Sequence, residues 1–195
     1  QLRALSLQSR NGGRVGDHRP DHRSGGGVSM RGTAYVFGDE VNTDVITPSD
    51  YFGESIEVMA EHVFEPERPD FAAEIDDGDF VVAGEHFGSG SSRESAPMAI
   101  QAAGIGAVIA ESFSRIYYRN SITIGLPALT VKGATDRISE GDALAVDLGD
   151  ATIENETTGA ELAFEPLPEE VQRIFDAGGL IEHYRENPDG LRIED

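Results

Sequence analysis

Two rhythms of apolar and polar positions alternate along most of this chain. Short blocks at 80–83, 107–110 and 128–131 are apolar or β-branched, and they have the length of buried strands. Between them, apolar residues recur at helical spacing. Ile56, Met59, Ala60 and Val63 fall on one face of a helix over 56–64, residues 96–103 predict a helix closed by Gly104, and residues 114–120 predict a third. Residues 33–37 read as a strand with a turn at Gly38-Asp39 behind it. The order strand, helix, strand, helix, strand argues for α/β architecture around a mostly parallel central sheet. Further on, 143–147, 151–154 and 161–164 read as short strands between turns, an added β-meander. Residues 168–177 predict a helix stopped by Gly178-Gly179, with a last helical turn over 180–184. No internal repeat and no linker divides residues 30–195.

Residues 1–29 follow neither rhythm. They hold five arginines and two aspartates, little apolar material, and the run Gly25-Gly26-Gly27 shortly before Met30. They are expected to be a disordered extension or non-native leader ahead of one domain spanning 30–195. Asp17-His18 and Asp21-His22 have the residue types of a metal site, but in a tail of this composition they read as solvated polar pairs.

Charge narrows the function. Thirty-six acidic residues face fifteen basic ones, for a formal net charge of -21, and Lys132 is the one lysine of the chain. Nucleic acid and anionic membrane surfaces are excluded as partners, because both demand basic patches. The acids are scattered, not run together, so they read as the surface of a globular domain. Salt screens the self-repulsion of such a surface, which points to a salt-rich cytoplasm, such as that of a halophilic archaeon. No apolar run approaches the roughly 20 residues needed to span a bilayer. The chain has no cysteine, so it forms no disulfide and cannot ligate an iron–sulfur cluster through thiolates; no metal site is expected on it.

Candidate chemistry concentrates in Gly84-Glu85-His86-Phe87-Gly88-Ser89-Gly90-Ser91-Ser92-Arg93-Glu94. This loop follows a buried strand and precedes a helix, where open α/β sheets bind ligands. Its glycines, Gly88 and Gly90 among them, allow close backbone approach. Amides at the following helix favour an anion, and Arg93 can fork onto a carboxylate. The pattern predicts recognition of a small carboxylic acid. Ser91-Ser92-Arg93-Glu94 also fits a capping box. Pro97 opposes a cap at Ser91, since it would stand at about the sixth helical position without an N–H to donate. A helix starting near Ser95 or Ala96 accommodates Pro97 and leaves 91–94 irregular.

The loop, the following Ala96-Pro97 and the later Ser112-Phe113-Ser114-Arg115-Ile116 resemble the small subunit of 3-isopropylmalate dehydratase, which corresponds to the swivelling domain of aconitase. The stretch from Gly38-Asp39-Glu40-Val41-Asn42-Thr43-Asp44 to Pro48 is similar to that family's N-terminal motif, and Gly125-Leu126-Pro127-Ala128 fits its later segment. The resemblance covers about residues 31–185. It implies a three-layer swivel-type domain and a large partner subunit holding a [4Fe-4S] cluster, with no cofactor on this chain. It implies Ser91 as the base, Arg93 as the carboxylate ligand and Ser92 as an orienting residue. Glu94 is expected to be structural, through salt bridges or local N–H bonds. Arg115 is expected to brace the active loop or the subunit contact, and Thr43 and Asp44 to order their own turn near the cleft. Three positions depart from the family's usual residues: His86 stands for Asn, Ser89 for Cys and Ser95 for His. His86 reads either as a substrate contact or as a loop histidine with a structural hydrogen bond. Tyr51 and Phe52 fall where the family reads the far end of its substrate, and an apolar wall there suits a methyl or isopropyl group. The implied reaction is isomerisation of 2-isopropylmalate and 3-isopropylmalate in leucine synthesis. Citramalate-type or homoaconitate-type dehydration stays open, as does a non-catalytic carboxylate-binding module.

Overall fold

Burial with a period of two organises the molecule. In the computed structural model, which describes residues 28–186, Phe80, Val82, Ala107 and Ile109 enter one core, while Val81, Ala83, Val108 and Ala110 enter another. Strands buried on both faces read as unbroken apolar blocks, which is why 80–83 and 107–110 stand out in the sequence.

The chain opens with β1 (Ser29–Val36), α1 (Thr43–Ile46), a 3-10 turn at Ser49–Tyr51, α2 (Ile56–Ala60) and α3 (Phe71–Glu74). Then β2 (Phe80–Ala83), α4 (Ser95–Ala102), β3 (Ala107–Ala110), α5 (Arg115–Ile124), β4 (Ala128–Thr130) and α6 (Ala134–Arg137) follow in strict alternation. The meander is β5 (Ala143–Asp147), β6 (Thr152–Asn155) and β7 (Ala160–Ala163), before α7 (Glu169–Ala177) and α8 (Leu180–Glu186). All seven strands form one sheet in the order β4-β3-β2-β1-β5-β6-β7. From β1 to β4 the pairing is parallel, with Ala34 opposite Phe80, Val81 opposite Val108 and Ile109 opposite Leu129. From β1 through β5 to β7 it is antiparallel. The meander is therefore a continuation of the central sheet. Its Leu144, Val146, Ile153 and Leu162 share the first core with α6 and α7, and α1, α2, α3 and α4 cover the second. Three layers result, as expected.

Local differences have local causes. The helix expected over 56–64 stops at Ala60. Phe64 turns left-handed at φ 59, its N–H reaches Ile46 O at 3.1 Å, and its ring packs 4.3 Å from Phe37 and 5.0 Å from Phe71. A helical path through 64 is incompatible with that aromatic cluster. The helix expected over 114–120 runs on to Ile124, capped by Ser114 and closed by left-handed Gly125. Of residues 1–29, expected to be a disordered extension or non-native leader, 1–27 lie outside the described residues. The last two positions belong to the fold, because Val28 is buried in the first core and Ser29 pairs with Asp147.

Candidate functional site

The chain leaves β1, β2 and β3 at one rim of the sheet, because the three are parallel neighbours. The loop 84–92 emerges in the middle, between the segment 38–43 that follows β1 and the segment 111–114 that follows β3. It has little regular structure, yet it is bonded on both sides much as a central strand is. On one side Glu40 N donates to Glu85 O at 2.7 Å, Gly88 N to Val41 O at 2.8 Å and Thr43 N to Ser89 O at 2.8 Å. On the other side Phe87 N donates to Ser112 O at 3.0 Å and Ser114 N to Phe87 O at 2.9 Å. Side chains complete the lacing. Ser112 Oγ accepts from His86 N at 2.9 Å, Ser114 Oγ donates to Gly88 O at 2.6 Å, and Asn120 Nδ2 donates to Ser92 O at 3.4 Å. Beneath the loop lies the ring of Tyr117, fully buried with Phe87 5.1 Å away. Burial drives its phenol far above the usual tyrosine range. At Gly88, φ is 74 and a Cβ would meet that ring at 2.2 Å, so no other residue fits.

Ser91 is half-buried. Its N–H donates to Thr43 Oγ1 at 3.1 Å, while its own hydroxyl makes no hydrogen bond among the described residues. Thr43 is 1 % exposed and Gly90 passes close over it, with a Cβ there 3.4 Å from Thr43 Oγ1. Asn42 caps α1 by accepting from Asp44 N at 2.9 Å and Val45 N at 3.0 Å, which presents Asp44 to the rim. Asp44 Oδ1 pairs with Arg93 Nη1 at 3.1 Å. The Phe52 ring lies 3.7 Å from the centre of the Arg93 guanidinium. Ser91, Arg93, Thr43, Asp44 and Phe52 are thus gathered at one place from three separate stretches.

Other expected roles move. The capping box does not form: α4 begins at Ser95, its N-cap Glu94 makes no side-chain cap, and Pro97 takes the third helical position, where no ladder bond is lost. Glu94 is exposed, and its carboxylate makes no ion pair or hydrogen bond among the described residues. Ser92 meets Asn120 through its carbonyl and not its hydroxyl. Arg115 is exposed at the first position of α5 and touches the loop with no hydrogen bond or ion pair. Bracing of the loop falls to Ser114, the cap of α5, and Asn120, its sixth residue. Tyr51 and Phe52 do not form one wall. Tyr51 stacks on His62 at 3.8 Å and donates to Glu65 at 2.9 Å, whereas Phe52 faces Arg93. His86 stands left-handed at φ 61, a conformation in which Asn and His are both enriched. Its imidazole makes no hydrogen bond among the described residues. Asn42 and Ser114 carry more of the site than the sequence reading gave them. Each directly precedes a helix, and an N-cap signal marks such positions.

No group of three or more His, Asp or Glu among the described residues is arranged to hold a metal. No described helix is long and apolar enough to cross a membrane.

The aconitase C-terminal domain family matches residues 51–134, which include Phe52, the loop 84–92 and Arg93 but not Thr43 or Asp44. The small subunit of 3-isopropylmalate dehydratase from Wolinella succinogenes is 50 % identical over 155 residues, 79 % of this chain and 92 % of that one. The chain belongs to the family of 3-isopropylmalate dehydratase small subunits. A crystal structure of 3-isopropylmalate dehydratase from Methanocaldococcus jannaschii superposes with a TM-score of 0.77 at 37 % identity, covering 82 % of this chain and 95 % of that chain. A further relative within reach of these small subunits is the methanogen homoaconitase small subunit of Methanothermobacter thermautotrophicus, 46 % identical over 80 % of this chain and 90 % of its own length.

Proposed function

We propose that this chain is the small subunit of a heteromeric hydro-lyase that interconverts 2-isopropylmalate and 3-isopropylmalate by dehydration and rehydration, a step of leucine biosynthesis. One observation carries the reading. Ser91 is fixed through its backbone by buried Thr43, yet its hydroxyl is uncommitted, two residues before an arginine whose guanidinium remains one-third exposed.

Arg93 has donors left to fork onto the carboxylate of a hydroxy acid. Ser91 Oγ, as alkoxide, takes the proton from the carbon beside that carboxylate, and the hydroxyl departs from the neighbouring carbon to leave an alkene. Returning the proton and a hydroxide to the alkene with the opposite placement gives the isomer. A serine alkoxide is a high-energy base, so it needs adjacent positive charge and donors, and Arg93 is the nearest cation in sequence. With no cysteine, this chain does not fit an iron–sulfur cluster. The Lewis acid that would assist departure of the hydroxyl belongs to a large subunit.

The homoaconitase relative supports testing a tricarboxylate as a second substrate class, and citramalate as a third. The acidic, lysine-poor surface supports work in a salt-rich cytoplasm. The deciding experiment mixes the purified chain anaerobically, in high salt, with a cluster-loaded large subunit from the same source, and follows alkene absorbance with 3-isopropylmalate, citramalate and homocitrate separately. Turnover of isopropylmalate that requires both subunits is the expected result. Preference for another acid would reassign the substrate. Tight acid binding by this chain alone, with no turnover of any acid, would replace the reading with that of a binding module.

A further inference from the structure

Arg93 is restrained on two sides. Asp44 holds one terminal nitrogen at 3.1 Å. Phe52 covers one face of the guanidinium at 3.7 Å, well inside the roughly 6 Å limit for a cation over a ring. Phe52 itself is 40 % exposed, one of few large apolar residues so open among the described ones. No described aromatic ring stacks on it, so Arg93 is what its face meets. Its backbone is not free to wander. Phe52 N donates to Ser49 O at 3.2 Å, and its neighbour Tyr51 is anchored both through Pro48 O and through its ring and hydroxyl on His62 and Glu65. A ring on a fixed turn, with its face against a cation, dictates the plane in which that cation lies.

We propose that Phe52 is a positioning residue for Arg93. It sets the plane of the guanidinium, Asp44 sets its rotation within that plane, and the remaining N–H donors are left open toward an incoming carboxylate. An arginine already stacked and ion-paired loses little rotamer freedom when it accepts a carboxylate. The consequence is one of affinity for the carboxylate all candidate acids share, and not of choice among their far substituents. This separates the proposal from a role for Phe52 as a substituent-reading wall. The effect on KM rests on the hydro-lyase reading; the stack does not.

The test uses Phe52→Leu, which keeps apolar bulk without a π face, and Phe52→Tyr, which keeps the face. In the reconstituted enzyme, Phe52→Leu is expected to raise KM about fourfold for isopropylmalate and citramalate alike, to leave kcat nearly unchanged, and to be rescued by Phe52→Tyr. In the full chain alone, the Arg93 Nε–Hε NMR signal is expected to show a ring-current shift and restricted motion in the natural protein and Phe52→Tyr, both lost in Phe52→Leu. An unchanged KM, a KM change confined to one acid, failure of Phe52→Tyr to rescue, or an Arg93 signal indifferent to Phe52→Leu would each overturn the proposal. If the natural protein turns over no acid, the hydro-lyase reading fails by itself, and the Arg93 signal still decides whether the stack exists.

Discussion

The two halves of the sheet share β1 and part company at their strand ends. In the antiparallel half, β5 and β6 each turn straight back into the next strand, and polar side chains serve those turns. Asn155 Oδ1 accepts from Thr157 N and Thr158 N at 3.1 Å, and Asp147 Oδ1 from Gly149 N and Asp150 N at 2.9 Å. In the parallel half, successive strands end at the same rim and their continuations run side by side. There the side-chain bonds that hold the loop or its arginine join residues 26 to 49 apart in sequence. Antiparallel order lets a tight turn satisfy its own polar groups. Parallel order collects groups from distant stretches, which is what a constellation such as Ser91, Arg93 and Asp44 requires.

Substitutions break the contrast from either end. The largest effect is expected from Ser91→Ala, a fall in kcat of about 10³-fold in the reconstituted enzyme with an unchanged melting temperature, since the bond from Ser91 N to Thr43 survives. A concomitant loss of stability would show that the hydroxyl is structural. Asn155→Ala should do the reverse. Asn155 is fully buried and also donates to Asp142 at 2.7 Å, so its loss should lower denaturant stability by about 3 kcal/mol while kcat and KM of the folded enzyme stay as they were. Ser114→Ala sharpens the comparison because it touches both roles. It removes the cap of α5 and the 2.6 Å bond to Gly88 O. The expected cost is about 1 kcal/mol of stability together with a several-fold fall in kcat. A stability loss with kcat intact would mean that the lacing is dispensable for turnover.

Much of the frame was legible in the chain because its signals are short-range. The blocks 80–83 and 107–110 coincide with β2 and β3. Pro97, which cannot donate within a helix, placed the start of α4 beside Ser95. Both follow from residues within one turn or one strand of each other. What escaped notice is what depends on distant partners. Nothing near Phe64 signals that its ring must reach Phe37 and Phe71. Nothing near Glu94 or Arg115 signals that their charges face solvent, and a charged residue inside a suggestive motif draws attention that the quieter Ser114 and Asn42 deserved more. Tyr51 and Phe52 are adjacent in sequence yet serve different partners, because neighbouring side chains in a tight turn point apart.

The loop 84–92 is laced on both flanks by bonds within this chain. Its backbone therefore has little disorder left to surrender when an acid arrives. Such a segment acts as a mould already set. The entropy of ordering the loop is lost once, when the chain folds, and not again at each turnover.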